Sequence, residues 1–353
     1  MNKKIKKWIV SFVGIVLSIM LILSTIAYSI DPFFQFRTKD DSYMLSGWFV
    51  SSGLIKNYDY DMLILGSSMT QNFDMDVIRE ELKVNPLHIG LGGINSREIG
   101  ELIGLAYETG NAEKFFVGVD MSIFTTDTNE SRIPSYLLKD DMLSKFRYLL
   151  SYEVWFRYIP VDIAFMMLDG LGVELPIKFE YSKSIDKLED WSLDYSFGEE
   201  IVLANYIGGK YAVSNVNTDD LYSRMVKNID NFIANFDFEK GEHVFFFPPY
   251  SSLYWCNAQE QGYFDMYMQA KEYFVNNVSE YDVKVYDFQY AELTTNLDNY
   301  RDTSHYSSEV NDWMVKCFAS QEYIVTKENL DMNKEILTTN TNAFRKKYAK
   351  LFE

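Results

Sequence analysis

The chain reads as an α/β domain on a mainly parallel sheet, set behind an N-terminal transmembrane helix and interrupted by a large, mostly helical insertion. Three observations predict this. Residues Trp8 to Ile30 carry no charged side chain. Short apolar runs alternate with segments of helical period from Tyr60 to Val119, and again from His243 to Ser320. Between them, at about 127–217, the alternation stops. Strand and helix alternating at this spacing imply right-handed crossovers joining parallel strands.

The first element is the apolar run. It is long enough for the roughly 20 residues that cross a hydrocarbon core, and it follows Lys3, Lys4, Lys6 and Lys7. Basic residues stay on the cytoplasmic side, so Asp31 onward is expected outside, on a single-pass protein of the cell membrane. A cleaved secretory signal is the alternative, with Thr25-Ile-Ala27 near a cut. The run nevertheless exceeds the about 7 to 15 residues of a signal core. Either way the rest of the chain leaves the cytoplasm.

Residues 1–30 are therefore the basic tip and anchor, 31–56 a mixed aromatic and polar linker, 57–320 the α/β domain and 321–353 a polar peripheral extension. Within the domain, Tyr60 to Leu65 reads as a buried strand closed by Gly66-Ser67-Ser68. Asp74 is a candidate N-cap for a helix to Leu82. Val84 to Ile89 is the second strand, ending at Gly90-Leu-Gly-Gly93. Asn95 to Glu108 is a helix and Phe115 to Val119 the third strand. His243 to Phe247 stops at Pro248-Pro249, which cannot continue a central strand. A helix over Asn257 to Asn277, a strand over Val283 to Phe288 and a helix over Ser307 to Ser320 complete the pattern. The insertion, with the break at Gly170-Leu-Gly172, is read either as a cap over the carboxyl ends of the strands or as a layer that only packs.

Composition narrows the function. A net charge of −18 repels phosphodiester backbones, so nucleic acid is not an expected partner. Cys256 and Cys317 are the only cysteines; they either pair in an oxidising exterior or remain free and buried. No C-x-x-C or H-E-x-x-H pattern supports a zinc site, and no metal or organic cofactor is expected.

Gly66-Ser67-Ser68-Met69-Thr70 lifts a hydroxyl to a sheet edge beside free backbone N–H groups, a setting suited to a nucleophile. It is not the G-x-S-x-G elbow, because Thr70 stands where the second glycine belongs. A serine hydroxyl needs a base. Of the three histidines, His88 and His243 sit at strand ends and read as structural. His305 differs, since Asp302 precedes it by three residues in Arg301-Asp-Thr-Ser-His-Tyr306. That spacing allows the carboxylate to hold one ring nitrogen while the other faces a serine.

Taken together, these blocks resemble the SGNH (GDSL-like) hydrolase family over about Tyr58 to Ser320, outside the insertion. The resemblance implies a three-layer, flavodoxin-like sandwich with Ser68 as nucleophile, Asp302 and His305 completing the triad, and Ser68 and Gly93 supplying oxyanion N–H groups. The family's G-x-N-D block is represented by Gly118-Val-Asp120-Met121. An ionised Asp120 accepts hydrogen bonds rather than donating them, and Asn95 is the candidate substitute donor. Anchor, insertion, Phe245-Phe-Phe-Pro-Pro-Tyr-Ser251 and Tyr300 to Tyr306 together resemble surface members associated with membrane-bound O-acyltransferases. The expected partners are such an acyltransferase and a cell-envelope polysaccharide or teichoic-acid-like polymer. The expected activity is a serine esterase or O-acyltransferase working through a Ser68 acyl-enzyme. A catalytically inactive glycan-binding or scaffold domain is the alternative, and a lipase beside the bilayer a third.

Overall fold

Five short segments, β1 (Met62–Gly66), β2 (Pro86–Gly90), β3 (Lys114–Gly118), β4 (Glu242–Phe247) and β5 (Val283–Asp287), pair into one parallel sheet in the order β2-β1-β3-β4-β5, one of the common doubly wound orders, in which ligands bind where the strand order reverses. A computed structural model describes residues 3–39, 42–126, 128–173, 181–191, 195–208 and 217–352. Asp127, 174–180, 192–194 and 209–216 of the expected insertion lie outside the described residues.

Helix α1 (Lys3–Ile30) is, among the described residues, the one helix long and apolar enough to cross a membrane. It leads into α2 (Gly47–Asn57), β1 (Met62–Gly66), α3 (Met75–Leu82) and β2 (Pro86–Gly90). Next come α4 (Ser96–Thr109) and β3 (Lys114–Gly118). The interruption contains α5 (Met142–Leu149), a π-helical turn at Val154–Tyr158, α6 (Ile159–Gly170) and α7 (Glu199–Gly208). It gives way to α8 (Thr218–Ile233) and β4 (Glu242–Phe247). The chain closes with α9 (Ser252–Glu260), α10 (Phe264–Val278), β5 (Val283–Asp287), α11 (Ser308–Ser320) and α12 (Leu330–Lys347).

Alternate strand residues face opposite ways, and both sets are buried. Leu63, Leu65, Phe115, Val117, Phe245 and Phe247 join Leu54, Ile99, Ile229 and Phe274 of α2, α4, α8 and α10 in one core. Met62, Ile64, Phe116, Val244 and Phe246 join Ile78, Trp255, Val315 and Leu337 of α3, α9, α11 and α12 in the other.

Three expectations change. The 31–56 segment is no free linker: Phe33 and Phe34 are buried, and most of its second half is α2, whose Val50, Leu54 and Ile55 join the core. Mixed composition hid a helix whose residues 50–55 are all buried, two serines and a glycine among them. The single helix expected over Asn257 to Asn277 is two, α9 and α10, because Gly262 takes a left-handed conformation (φ 77°) that only glycine adopts at little cost. The polar extension after Gln321 contains α12, which presses Leu337 and Phe344 against the core around α9. Cys256 and Cys317 are both free and buried, and burial raises their thiols to about 11 and about 12.

Candidate active site

The site begins at a glycine. β1 ends at Gly66, where an added Cβ would stand 2.4 Å from Thr70 Cγ2 and the same methyl would be 2.9 Å from a Cβ at Gly118. The two glycines leave the Thr70 methyl room between the ends of β1 and β3, the switch point of the sheet. Ser67 then caps a tight turn: its carbonyl accepts from Thr70 N (3.0 Å) and Thr70 Oγ1 (3.0 Å), and its hydroxyl accepts from Met69 N (3.3 Å). Ser68 opens the 3-10 turn Ser68–Thr70, so its own N–H is one that the turn cannot use. Unlike its neighbours it is half-exposed.

The Asp302–His305 loop meets this turn from the far end of the chain. Ser68 Oγ lies 2.8 Å from His305 Nε2, and His305 Nδ1 lies 2.8 Å from Asp302 Oδ2. The other carboxylate oxygen accepts the backbone N–H groups of Ser304 (2.9 Å) and His305 (2.8 Å). Burial alone would raise the Asp302 carboxyl; the His305 ring and these N–H groups outweigh it and hold the carboxyl down at about 2. Asp302 is ionised at any physiological pH, which fixes Nδ1 of the imidazole as its donor and turns Nε2 as an acceptor toward the serine.

Buried hydrogen bonds clamp the two turns together. The Tyr306 hydroxyl donates to the Met69 carbonyl (2.6 Å), and Asn72 Nδ2 to the Tyr306 carbonyl (2.7 Å). Asn311 Nδ2 in turn donates to Asn72 Oδ1 (2.8 Å). From the loop after β4, the Ser251 hydroxyl donates to the Thr303 carbonyl (2.5 Å), and the Tyr300 hydroxyl reaches back to the Pro249 carbonyl (2.8 Å). Burial keeps the phenols of Tyr300 and Tyr306 well above their ordinary range, so they remain donors.

Asp120 is an acceptor here. Its carboxylate takes hydrogen bonds from Ser67 Oγ (2.8 Å), Ser122 N (2.9 Å) and the Tyr250 hydroxyl. It ties the ends of β1, β3 and β4 together. Asn95 caps α4, its Oδ1 accepting Glu98 N (3.0 Å) while Glu98 Oε2 accepts Asn95 N (3.0 Å). Gly93 sits in the left-handed region (φ 69°), with its carbonyl held by Arg132 Nη2 (2.6 Å). Arg132 is itself paired with the fully buried Glu98 carboxylate (2.6 Å) and stacked on Trp48. Among the described residues, no backbone carbonyl accepts the Gly93 N–H.

The other histidines stand apart from the serine. His243 bonds Tyr107 (2.6 Å) and the Gly241 carbonyl (3.1 Å) at the foot of β4. His88 is buried in β2, with burial lowering it to about 4.

One contributor escaped the sequence. Trp191, in the insertion, donates from Nε1 to the Ser68 carbonyl (2.8 Å) and packs edge-on against the His305 ring at 5.3 Å. Beyond it, Tyr195 and Phe197 continue the aromatic wall, and the Arg301 guanidinium lies over the Tyr195 ring at 3.2 Å. This part of the insertion therefore packs against the Ser68 turn and the His305 ring. Trp191 lies in a stretch with no periodicity, 123 residues from its partner, so no local signal marks it. Asn72 and Tyr306 had a weak one, each being a polar-tipped residue next to a proposed catalytic block. No protein-family model matches the chain, and a search of curated proteins finds no match.

Proposed function

We propose that this chain is a membrane-anchored serine esterase or O-acyltransferase of the SGNH-like type, working outside the cell on acyl groups of an envelope polysaccharide or teichoic-acid-like polymer. The observation that carries the proposal is the unbroken line Ser68 Oγ, His305 Nε2, His305 Nδ1, Asp302 Oδ2, with both links at 2.8 Å. Support for the three-layer arrangement comes from the strand order and the burial of both sheet faces. Support for the anchor is α1.

In this reading His305 Nε2 takes the Ser68 hydroxyl proton as Oγ bonds to the ester carbonyl carbon. The resulting oxyanion is met by the N–H groups of Ser68 and Gly93. As the C–O bond breaks, the departing alkoxide takes the proton from Nε2 and leaves an acyl-Ser68. An incoming hydroxyl, from water or a sugar, gives its proton to Nε2 and reverses the sequence. Asp302 stays ionised throughout and stabilises the imidazolium. The donor is an acyl ester delivered by a membrane-bound O-acyltransferase or held on the polymer itself.

The test is a burst of chromophore from a chromogenic acetyl ester. The full chain gives a burst with one site per molecule, and Ser68→Ala and His305→Ala give none. An undiminished burst in Ser68→Ala ends the assignment. A second reading, a glycan-binding or scaffold domain, is favoured by Asp120, which stands as an acceptor where the SGNH pattern has a donating asparagine. Losing one such donor costs about 2.7 to 4 kcal/mol of transition-state stabilisation. Polymer acylation restored equally by Ser68→Ala and by the unaltered chain identifies that reading. A lipase would instead turn over long-chain esters faster than acetyl esters.

A further inference from the structure

α1 is not tethered loosely. About 20 residues from Trp8 reach Ala27, so the outer edge of a hydrocarbon core about 30 Å thick falls at the C-terminal turn of α1. That turn is where the helix meets the domain. Ala27 is its one buried residue, and α1 packs on α5 and α6. Arg37 Nη2 bonds the carbonyls of Tyr28 and Ser29 (both 3.0 Å), and Lys39 Nζ that of Ser29 (2.9 Å), satisfying groups a helix end leaves open. The next residue, Asp31, accepts the Tyr148 hydroxyl of α5 at 2.8 Å. With so short and bonded a junction, the direction of α1 sets the orientation of α5 and α6 against the membrane.

Those two helices are apolar on the outside. After α1, eleven of the fourteen large apolar side chains exposed among the described residues fall within 142–173. They include Met142 (84 % exposed), Tyr152 (71 %), Phe156 (73 %), Met167 (66 %) and Leu171 (78 %). α6 reads Ile-Pro-Val-Asp-Ile-Ala-Phe-Met-Met-Leu-Asp-Gly, yet Ile159 is its only buried residue. Its two acids, Asp162 and Asp169, lie seven residues apart on one face; a helix otherwise this apolar is ordinarily buried in a core or in lipid, and soluble proteins rarely expose large apolar patches. Arg147 and Arg157 are exposed among these residues, with stems long enough to carry their charges up to lipid phosphates.

We infer that the face made by α5, the turn Val154–Tyr158 and α6 rests in the outer leaflet of the bilayer that α1 crosses, so that the domain lies on the membrane rather than standing off it. The inference rests on the anchor reading above and is independent of the chemistry at Ser68. The occupant is lipid because the face is continuous with the membrane helix. The insertion then serves two sites: its α5–α6 end holds the surface, and its Trp191 end packs against the Ser68 turn.

The test uses the full chain in vesicles of phosphatidylcholine and phosphatidylglycerol, with a nitroxide on one introduced cysteine. The native thiols are buried, which keeps labelling selective. Positions are Phe156→Cys and Met167→Cys in the face, Met332→Cys as an exposed reference on α12, and Leu17→Cys as a marker of the span. Labelled chains are compared at equal melting temperature. Labels at 156 and 167 are expected about 5–10 Å below the phosphates, with oxygen collisions raised and collisions with a water-soluble nickel chelate lost, while the label at 332 stays aqueous. Labels at 156 and 167 as aqueous as the one at 332, with the label at 17 in hydrocarbon, overturn the lipid contact and leave that face to another membrane protein. An aqueous label at 17 overturns the anchor reading and this inference with it.

Discussion

Replacing Asp302 by asparagine removes a charge from the centre of the site and keeps its shape. Folding takes the Asp302 carboxyl from its ordinary 3.8 down to about 2. Nearly two pH units, at about 1.4 kcal/mol each, make the ionised carboxylate worth about 2 kcal/mol to the fold. Because the folded value lies below the unfolded one, that stabilisation is present in full above pH 4 and is lost as pH falls through about 2. Asp302→Asn is therefore expected to unfold about 2 kcal/mol more easily at neutral pH, with the gap closing between pH 4 and 2. The chemistry changes more. An amide nitrogen turned to His305 Nδ1 favours the tautomer with hydrogen on Nε2, which cannot accept the Ser68 proton, and a loss on the order of 10⁴ in acylation rate is expected. Urea unfolding at several pH values reads the first effect and stopped-flow release from a chromogenic acetyl ester the second. A gap independent of pH, or acylation at the rate of the unaltered chain, contradicts the roles given to Asp302.

Four further outcomes follow from the geometry. Tyr306→Phe loses a buried donor to Met69 O; the cost to stability is about 1–3 kcal/mol, and the burst rate falls, whereas the control Tyr281→Phe keeps the rate of the unaltered chain. Trp191→Phe keeps the ring against His305 and drops the bond to Ser68 O; at about 1 kcal/mol acylation slows roughly fivefold, and an unchanged rate removes Trp191 from the site. Gly66→Ala forces a methyl against Thr70 and costs about 1–3 kcal/mol by overpacking, read as a lower melting temperature. Lys271→Met strands Asp287, its partner at 2.9 Å inside the core, costing about 3–5 kcal/mol; adding Asp287→Leu recovers most of it in the same urea titration.

Much of the scaffold was written in local pattern. The strands β1 to β4 are short, largely apolar runs that end at glycine or before proline, signals that act within a few residues. The D-x-x-H spacing was legible because Asp302 and His305 interact across a single turn. The pieces that did not read out depend on partners far along the chain. α2 looks like linker until Phe33, Phe34 and the sheet supply a core for its apolar residues. α12 is polar apart from a few residues, and only the surface around α9 explains their burial. Trp191 gained its meaning from a carbonyl that the fold brings to it. Asp120 was recognised from sequence as an acceptor, but its tyrosine partner, Tyr250, sits after a different strand.

The most direct measurement is the mass of the Ser68 peptide after the full chain is mixed with a chromogenic acetyl ester and quenched within the burst. An added mass of one acetyl group on Ser68, absent when His305 is alanine, is the expected result. Chromophore released with Ser68 unmodified, or acetyl found on another residue, contradicts the serine-based mechanism.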